Sequence, residues 1–188
     1  GCSWSAREAL AFVNGTSASL ALVCYNHQAI VRLTRALAAL TGRIACLLGV
    51  NPMPYSPGVA EVRGHEGHID AAQWIRSELM PGAPVKSGRP LQEPYSLRCA
   101  PQVIGAVIDQ LRLQEGILMR EALGCTDNPI TWQGNVLHGG NFHALPVALC
   151  SDQQALGVHQ LAFLAERQLA LLLDPNHNGG KPPMLTPN

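Results

Sequence analysis

From Ser17 to about Leu40 the sequence is apolar on nearly every side of a helix, with Leu20, Leu22, Val23, Tyr25, Ile30, Leu33, Leu37 and Leu40 spread around its circumference. A helix of that kind is buried on several sides at once, so it constrains everything that packs near it. Gly42 is the expected stop. Two later stretches share the pattern. Pro101 opens a helix, as proline at a first helical position does, and Val103, Val107 and Leu111, with Ile104 and Ile108, recur at four-residue steps as far as about Ala122. Leu145 to Leu173 forms another, roughly 43 Å long at about 1.5 Å per residue. A short amphipathic helix is expected over Ile69 to Met80, closed by Pro81. The connections are rich in Pro, Gly and Asn: NPMPYSPG from Asn51, PGAPVKSGRP from Pro81, the TDNPI turn from Thr126, and TWQGNVLHGGN as a loop or short hairpin. The tail DPNHNGGKPPMLTPN is expected to lack regular structure.

The pattern is all-α, a long-helix bundle without internal repeats, and residues 1–188 read as one helical segment. The helices are longer than a globule of 188 residues needs, and the first has more apolar sides than its neighbours here can cover. Partners are therefore expected, either the rest of a longer chain or other subunits.

A formal net charge of zero favours neither nucleic acid nor an anionic membrane. No stretch approaches the ~18 apolar residues of a transmembrane span. The opening GCSWSAREAL lacks a basic region followed by an apolar run, so no secretory signal is expected there. The six cysteines, Cys2, Cys24, Cys46, Cys99, Cys125 and Cys150, show no C-x-x-C spacing. Scattered among Ala and Leu, they read as free buried thiols, which implies a reducing, cytoplasmic compartment.

Three polar motifs sit at helix ends, where a rigid element aims a loop residue. In Val13 to Ser17, Asn14 precedes Gly15, and Thr16 or Ser17 caps the long helix. The plainer reading is a capped turn; the functional one aims the Asn14 amide into a site at a helix N-terminus. Gln92, Tyr95 and Arg98 are three residues apart before a helix start, so one turn presents all three on one side. Arg98 offers a planar fork suited to a carboxylate, Tyr95 a hydroxyl and Gln92 both donor and acceptor. A surface ion pair at Arg98 is the plainer reading. In His138 to His143, Gly139 and Gly140 permit backbone shapes closed to other residues and would bring Phe142 close to a ligand, although burial in a core would explain Phe142 equally. His65-Glu66-Gly67-His68 imitates a zinc box, but its histidines stand at i, i+3 rather than i, i+4, and Gly64 and Gly67 disfavour a helix. No metal site is expected.

Taken in order, REALAFVNGTSA (Arg7 to Ala18), GHEGHID (Gly64 to Asp70), QEPYSLRCAPQVIG (Gln92 to Gly105), TDNPI (Thr126 to Ile130), GGNFHALPVA (Gly139 to Ala148) and AERQLALLLDP (Ala165 to Pro175) resemble the aromatic amino acid lyases. That family includes histidine, phenylalanine and tyrosine ammonia-lyases and related aminomutases. The resemblance covers nearly the whole chain and implies the central segment of a larger helical subunit. It implies a homotetramer with active sites built from more than one subunit. It implies a methylidene-imidazolone electrophile made from an internal Ala-Ser-Gly, a Tyr from an N-terminal loop that removes the β-proton, and ammonia and an α,β-unsaturated acid as products. Carried over, Asn14 would bond the ring or substrate, Arg98 would clamp the substrate carboxylate, Tyr95 would bond near the ring oxygen and carboxylate with Gln92 supporting it, and Phe142 would pack by the ring and the substrate's aromatic group.

The chain departs from the family in having no Ala-Ser-Gly. The cofactor-forming region is expected before Gly1 and a C-terminal region after Asn188. Leu123 and Gly124 stand where the family shows Asn-Ser. Ser17 resembles the bacterial tyrosine lyases or aminomutases, where histidine lyases usually show Gln, whereas GNFHA and AER resemble the bacterial histidine and tyrosine branch, so tyrosine or histidine is the expected substrate. An aminomutase and a non-catalytic helical oligomerisation paralogue are the alternatives.

Overall fold

The computed structural model describes residues 3–82 and 85–186. It contains seven α-helices among these residues: α1 (Ala6–Val13), α2 (Ser17–Leu48), α3 (Pro57–Glu61), α4 (Glu66–Ser77), α5 (Tyr95–Arg98), α6 (Ala100–Leu123) and α7 (Leu145–Leu173). A single hairpin joins β1 (Ile130–Trp132) to β2 (Asn135–Leu137), with Ile130 opposite Leu137. Its turn residues, Gln133 and Gly134, both have positive φ, as a two-residue hairpin turn demands. The all-α expectation holds, and no described helix is long and apolar enough to cross a membrane.

α2, α6 and α7 form the frame. His27 on α2 meets the Leu111 carbonyl of α6, and Leu20 and Val23 pack with Leu118, so α2 and α6 run antiparallel. Val23 meets Gln154, and Thr41 meets Gln168, so α2 and α7 run parallel. α2 buries one stripe in this chain, from Leu20 to Leu48. Leu22, Tyr25, Leu33 and Leu40 remain exposed, the apolar sides for which this chain supplies no cover.

The buried stripe of α2 also contains three polar residues, His27, Thr34 and Thr41, each seven positions from the next. All are satisfied. His27 Nε2 bonds the Leu111 carbonyl at 3.0 Å, and Thr34 donates to the Ile30 carbonyl. Thr41 donates to the Leu37 carbonyl and accepts from Gln168 Nε2 at 2.9 Å. Gln154 on α7 donates to the Val23 carbonyl and to Gln114 on α6. Buried polar groups are costly unless paired, so these bonds fix how the three helices slide against one another.

Glycines set the positions of the shorter helices. A Cβ on Gly42 would lie 2.5 Å from the Ile75 carbonyl oxygen, and one on Gly67 would lie 2.2 Å from that of Gly105. Gly42 is therefore no stop: α2 continues six residues past it, because α4 crosses there at backbone distance. The stop is Gly49, in the left-handed region with φ of 64°, where only glycine rests without strain. α4 likewise starts at Glu66, before the expected Ile69, and ends at Ser77. Gly67 enters the helix because α6 leaves no room for a side chain, and Asp109 on α6 accepts its N–H at 2.7 Å.

The tail is mostly irregular but carries a 3-10 turn at Pro183–Leu185, and Asn178 within it is fully buried. Asn178 donates to the Leu172 carbonyl and accepts from the Lys181 N–H. The two lysines of the sequence, Lys86 and Lys181, both work at this corner. Lys181 Nζ donates to the Leu47 carbonyl and Lys86 Nζ to the Gly179 carbonyl. Five described cysteines are free. Their burial differs from the expectation: Cys150 is buried, Cys24, Cys46 and Cys99 are half-buried, and Cys125 is exposed on the loop after α6. Cys2 lies outside the described residues.

Two glycines of α6 separate packing from propensity. A Cβ on Gly105 would meet the His68 backbone at 2.5 Å, whereas one on Gly116 meets only the end of the Arg120 side chain at 3.5 Å. Gly105→Ala is expected to lose at least about 1–3 kcal/mol through overpacking, and Gly116→Ala to gain up to about 1 kcal/mol. Urea unfolding midpoints of the two variants check this, and a Gly105→Ala midpoint equal to that of the parent would refute the close crossing.

Candidate active-site cleft

Arg98 is aimed by a single helical turn held from behind. The Leu97 and Arg98 N–H groups both donate to the Pro94 carbonyl, and Cys99 donates to Tyr95. On the inner side Leu97 is fully buried, and its carbonyl accepts from the Tyr55 hydroxyl at 3.0 Å. Burial, aided by the nearby Glu93 carboxylate, pushes the Tyr55 phenol far above its usual range, so it stays a neutral donor. The Ser96 carbonyl accepts from Gln168 Nε2 at 2.8 Å. Glu93 is only 3% exposed and takes both arms of Arg89. Ion pair, phenol and amide thus anchor Glu93, Leu97 and Ser96, which leaves Gln92, Tyr95 and Arg98 facing outward.

These three line one cleft of about 540 Å³, as the three-residue spacing implies. Arg98 Nη1 donates to Gln92 Oε1 at 2.8 Å. Among the described residues Arg98 has no carboxylate partner, so the surface ion pair is absent. Tyr95 is 75% exposed, and its hydroxyl has no bond among the described residues. A guanidinium backed by an amide, beside a free phenol, is a donor set suited to a carboxylate brought in from solvent.

Asn14 and Phe142 lie elsewhere. Asn14 ends α1, and neighbouring Gly15 packs on the Thr126 backbone beyond the C-terminus of α6. Phe142, half exposed, precedes α7, and neighbouring Asn141 donates to the Cys125 carbonyl. Both therefore sit past the end of α6, whereas Arg98 precedes its start. The 24 residues of α6 put about 36 Å between the two places. Among the described residues the chain thus presents two separate groups of candidate residues and no single pocket that joins them.

Two details depart from the sequence reading. Thr16 stands at the N-cap of α2, but its side chain makes no cap bond, and its buried hydroxyl has no partner. Gly139 and Gly140 do not use the left-handed region, and a Cβ on either would meet nothing within 4 Å. Nothing among the described residues demands glycine there.

The cleft also holds residues that the sequence reading passed over. Arg63 faces it from the loop before α4, and Gln102 from the first turn of α6. Gln102 Oε1 is buried without a hydrogen-bond donor. Its approach to Arg98 could not be read from an i, i+4 step, because Cys99 separates α5 from α6. Arg63 gave no signal, because its approach depends on the α4–α6 crossing. Among the described residues no three His, Cys, Asp or Glu side chains converge as metal ligands.

The chain matches the family model described as aromatic amino acid lyase over residues 2–188. Histidine ammonia-lyase of Burkholderia cenocepacia is 43% identical over 187 residues, covering 96% of this chain and 36% of that protein. Among solved structures, tyrosine aminomutase from Streptomyces globisporus superposes with a TM-score of 0.89 at 30% identity, over 95% of this chain and 38% of that one. Histidine ammonia-lyase from Trypanosoma cruzi does so with a TM-score of 0.80 at 32% identity, over 100% of this chain and 35% of that one. The chain therefore spans little more than a third of the length of the relatives it matches.

The anchoring of the Arg98 turn is open to test. Tyr55→Phe removes the donor to Leu97 and is expected to cost about 0.5–1.5 kcal/mol. Amide hydrogen exchange should rise at Arg98 and Cys99 while the middle of α6 stays protected. Unchanged exchange at both residues would mean that the hydroxyl does not hold the turn.

Proposed function

The chain belongs to the aromatic amino acid lyase family, and we propose that it supplies part of the active site of an ammonia-lyase acting on an aromatic L-amino acid. The observation that carries this reading is the outward presentation of Arg98, Gln92 and Tyr95 on one rigid turn. In this reading Arg98 holds the substrate carboxylate and Gln92 fixes the guanidinium by accepting from Nη1. The Tyr95 hydroxyl bonds beside the carboxylate. Histidine is favoured by the name of the 43% identical relative, with tyrosine next. The elimination moves the Cβ–H electron pair into a new C=C bond, gives the proton to a base, and releases the Cα–N pair with the nitrogen. The products are ammonia and an α,β-unsaturated acid.

An amine is a poor leaving group, and a methylidene-imidazolone made from Ala-Ser-Gly would supply the electrophile that improves it. This chain has no Ala-Ser-Gly, so that group and the proton-accepting Tyr would come from outside it. The open phenol of Tyr95 and the unpaired Arg98 fit a group presented from outside. The separation of about 36 Å between Arg98 and the Asn14–Phe142 end supports a site completed across subunits, as in a homotetramer. Asn14 would then bond the ring or substrate and Phe142 pack against the aromatic group, both reaching the Arg98 cleft from outside its own chain. The free cysteines fit a cytoplasmic protein. A second reading, an aminomutase, is favoured by the TM-score of 0.89 to tyrosine aminomutase; it shares the elimination and differs in returning ammonia to the other carbon.

Two outcomes are expected. The 188-residue chain alone should form no urocanate or cinnamate-type product by ultraviolet absorbance. In a longer protein that carries this segment and is active, Arg98→Met should lose about 2–5 kcal/mol of substrate interaction. That corresponds to roughly 30- to several-thousand-fold in kcat/KM. Arg98→Lys should lose less, since it keeps the charge but not the bidentate fork. Near-parental kcat/KM in Arg98→Met would remove Arg98 from substrate binding.

A further inference from the structure

Behind the Arg98 cleft, between α4 and α6, lies a cavity of about 180 Å³. Its wall holds the main unsatisfied polar groups of the interior. His68 is 2% exposed, and both ring nitrogens are buried without a partner. Gln102, whose Oε1 is also buried and unpartnered, lines the same space. Such atoms cost on the order of 1–3 kcal/mol each unless something bonds them. Arg63 and Gln102 line both the cavity and the cleft, so these two side chains form the partition between them.

The charges around the cavity select its occupant. Asp109 is already committed: Oδ1 accepts the Gly67 N–H at 2.7 Å and lies 3.9 Å from Arg112, and Oδ2 lies 4.0 Å from His65. Arg63 adds a positive charge that disfavours a cation. Burial, with Arg63 and His65 nearby, lowers the His68 pKa, so the ring is neutral with one donor and one acceptor. The open valences are thus two acceptors, Gln102 Oε1 and one ring nitrogen, and one donor, the other ring nitrogen. Ammonia has three N–H donors and one lone pair, and water two of each. Either small neutral molecule satisfies the set, whereas ammonium has no lone pair for the ring N–H.

We infer that this cavity binds a small neutral hydrogen-bonding molecule and is the place that ammonia, the small product, enters on leaving the Arg98 cleft, with water in its place at rest. The inference rests on the lyase reading. The carboxylate product is held by Arg98 on the cleft side, and the nitrogen passes Gln102 and Arg63 to reach His68, so the two products part in different directions. His65 is exposed at the outer rim and gives the cavity its way to solvent.

The test uses an active longer protein that carries this segment, at one fixed alkaline pH where much of the added ammonium is neutral ammonia. Product inhibition is measured separately with ammonium chloride and with the unsaturated acid, and tetramethylammonium chloride controls for ionic strength. Gln102→Leu removes an acceptor, and its ammonium inhibition constant should rise about fivefold, the effect of losing one neutral hydrogen bond; the acid's constant, which should not move, is read in a second variant at a residue that does not line the cleft. Ala106→Met, on the exposed rim of the cavity, narrows it without entering the core. It should move the ammonium constant in the same direction, which keeps the test open if Gln102→Leu fails to fold. Ammonia released by the parent, with the ammonium constant unmoved in a folded variant, overturns this inference alone and leaves a water-filled cavity. A parent that converts aromatic amino acids to no unsaturated acid overturns the lyase reading, and this inference with it.

Discussion

The contact on which the arrangement depends is a backbone crossing. α4 and α6 approach so closely at Gly67 and Gly105 that a Cβ on either would fall inside the other's backbone. That approach puts Asp109 within reach of the first turn of α4, where its carboxylate takes a free N–H and complements the positive end of the helix. Arg112 then gathers Asp70, Glu66 and Asp109 on the outer side of the same crossing. It also fixes the loop that carries Arg63 relative to the start of α6, and so relative to Arg98. A wider crossing would move both walls of the cleft apart.

A second constraint acts along the frame. Leu and Ile side chains pack almost as well when one helix slides by a turn, but His27, Thr41, Gln114, Gln154 and Gln168 do not. Each has a partner at only one alignment of α2, α6 and α7. Gln168 reaches furthest, because the same amide also holds the Ser96 carbonyl. The register of the long helices is thereby transmitted to the turn that aims Arg98.

Much of this was legible in the sequence. Proline at the start of α6, the periodicity of α7 and the three-residue spacing of Gln92, Tyr95 and Arg98 each reflect a local rule, and each appears in the structure. Two of the failures share a cause. Gly42 and Gly67 look like helix breakers when only their own propensity counts, yet both lie inside helices because a neighbour's backbone needs the space. Gln102 escaped notice, and His68 was weighed only as a metal ligand, because an orphaned polar atom is visible only once the walls around it are known. The buried His and Thr of α2 were hidden among apolar residues whose pattern alone suggested an oily stripe.

The two lysines have a practical consequence. Both lie at the corner where α2 ends and the tail docks, at the same end of the frame as Arg98. Reagents that couple to primary amines on side chains therefore find their targets in one small region of the surface. A molecule tethered through these lysines would stand on its support in one orientation, with the Asn14 and Phe142 end pointing away into solution. The chain thus carries its own handle for ordered immobilisation, on the same end of the frame as Arg98.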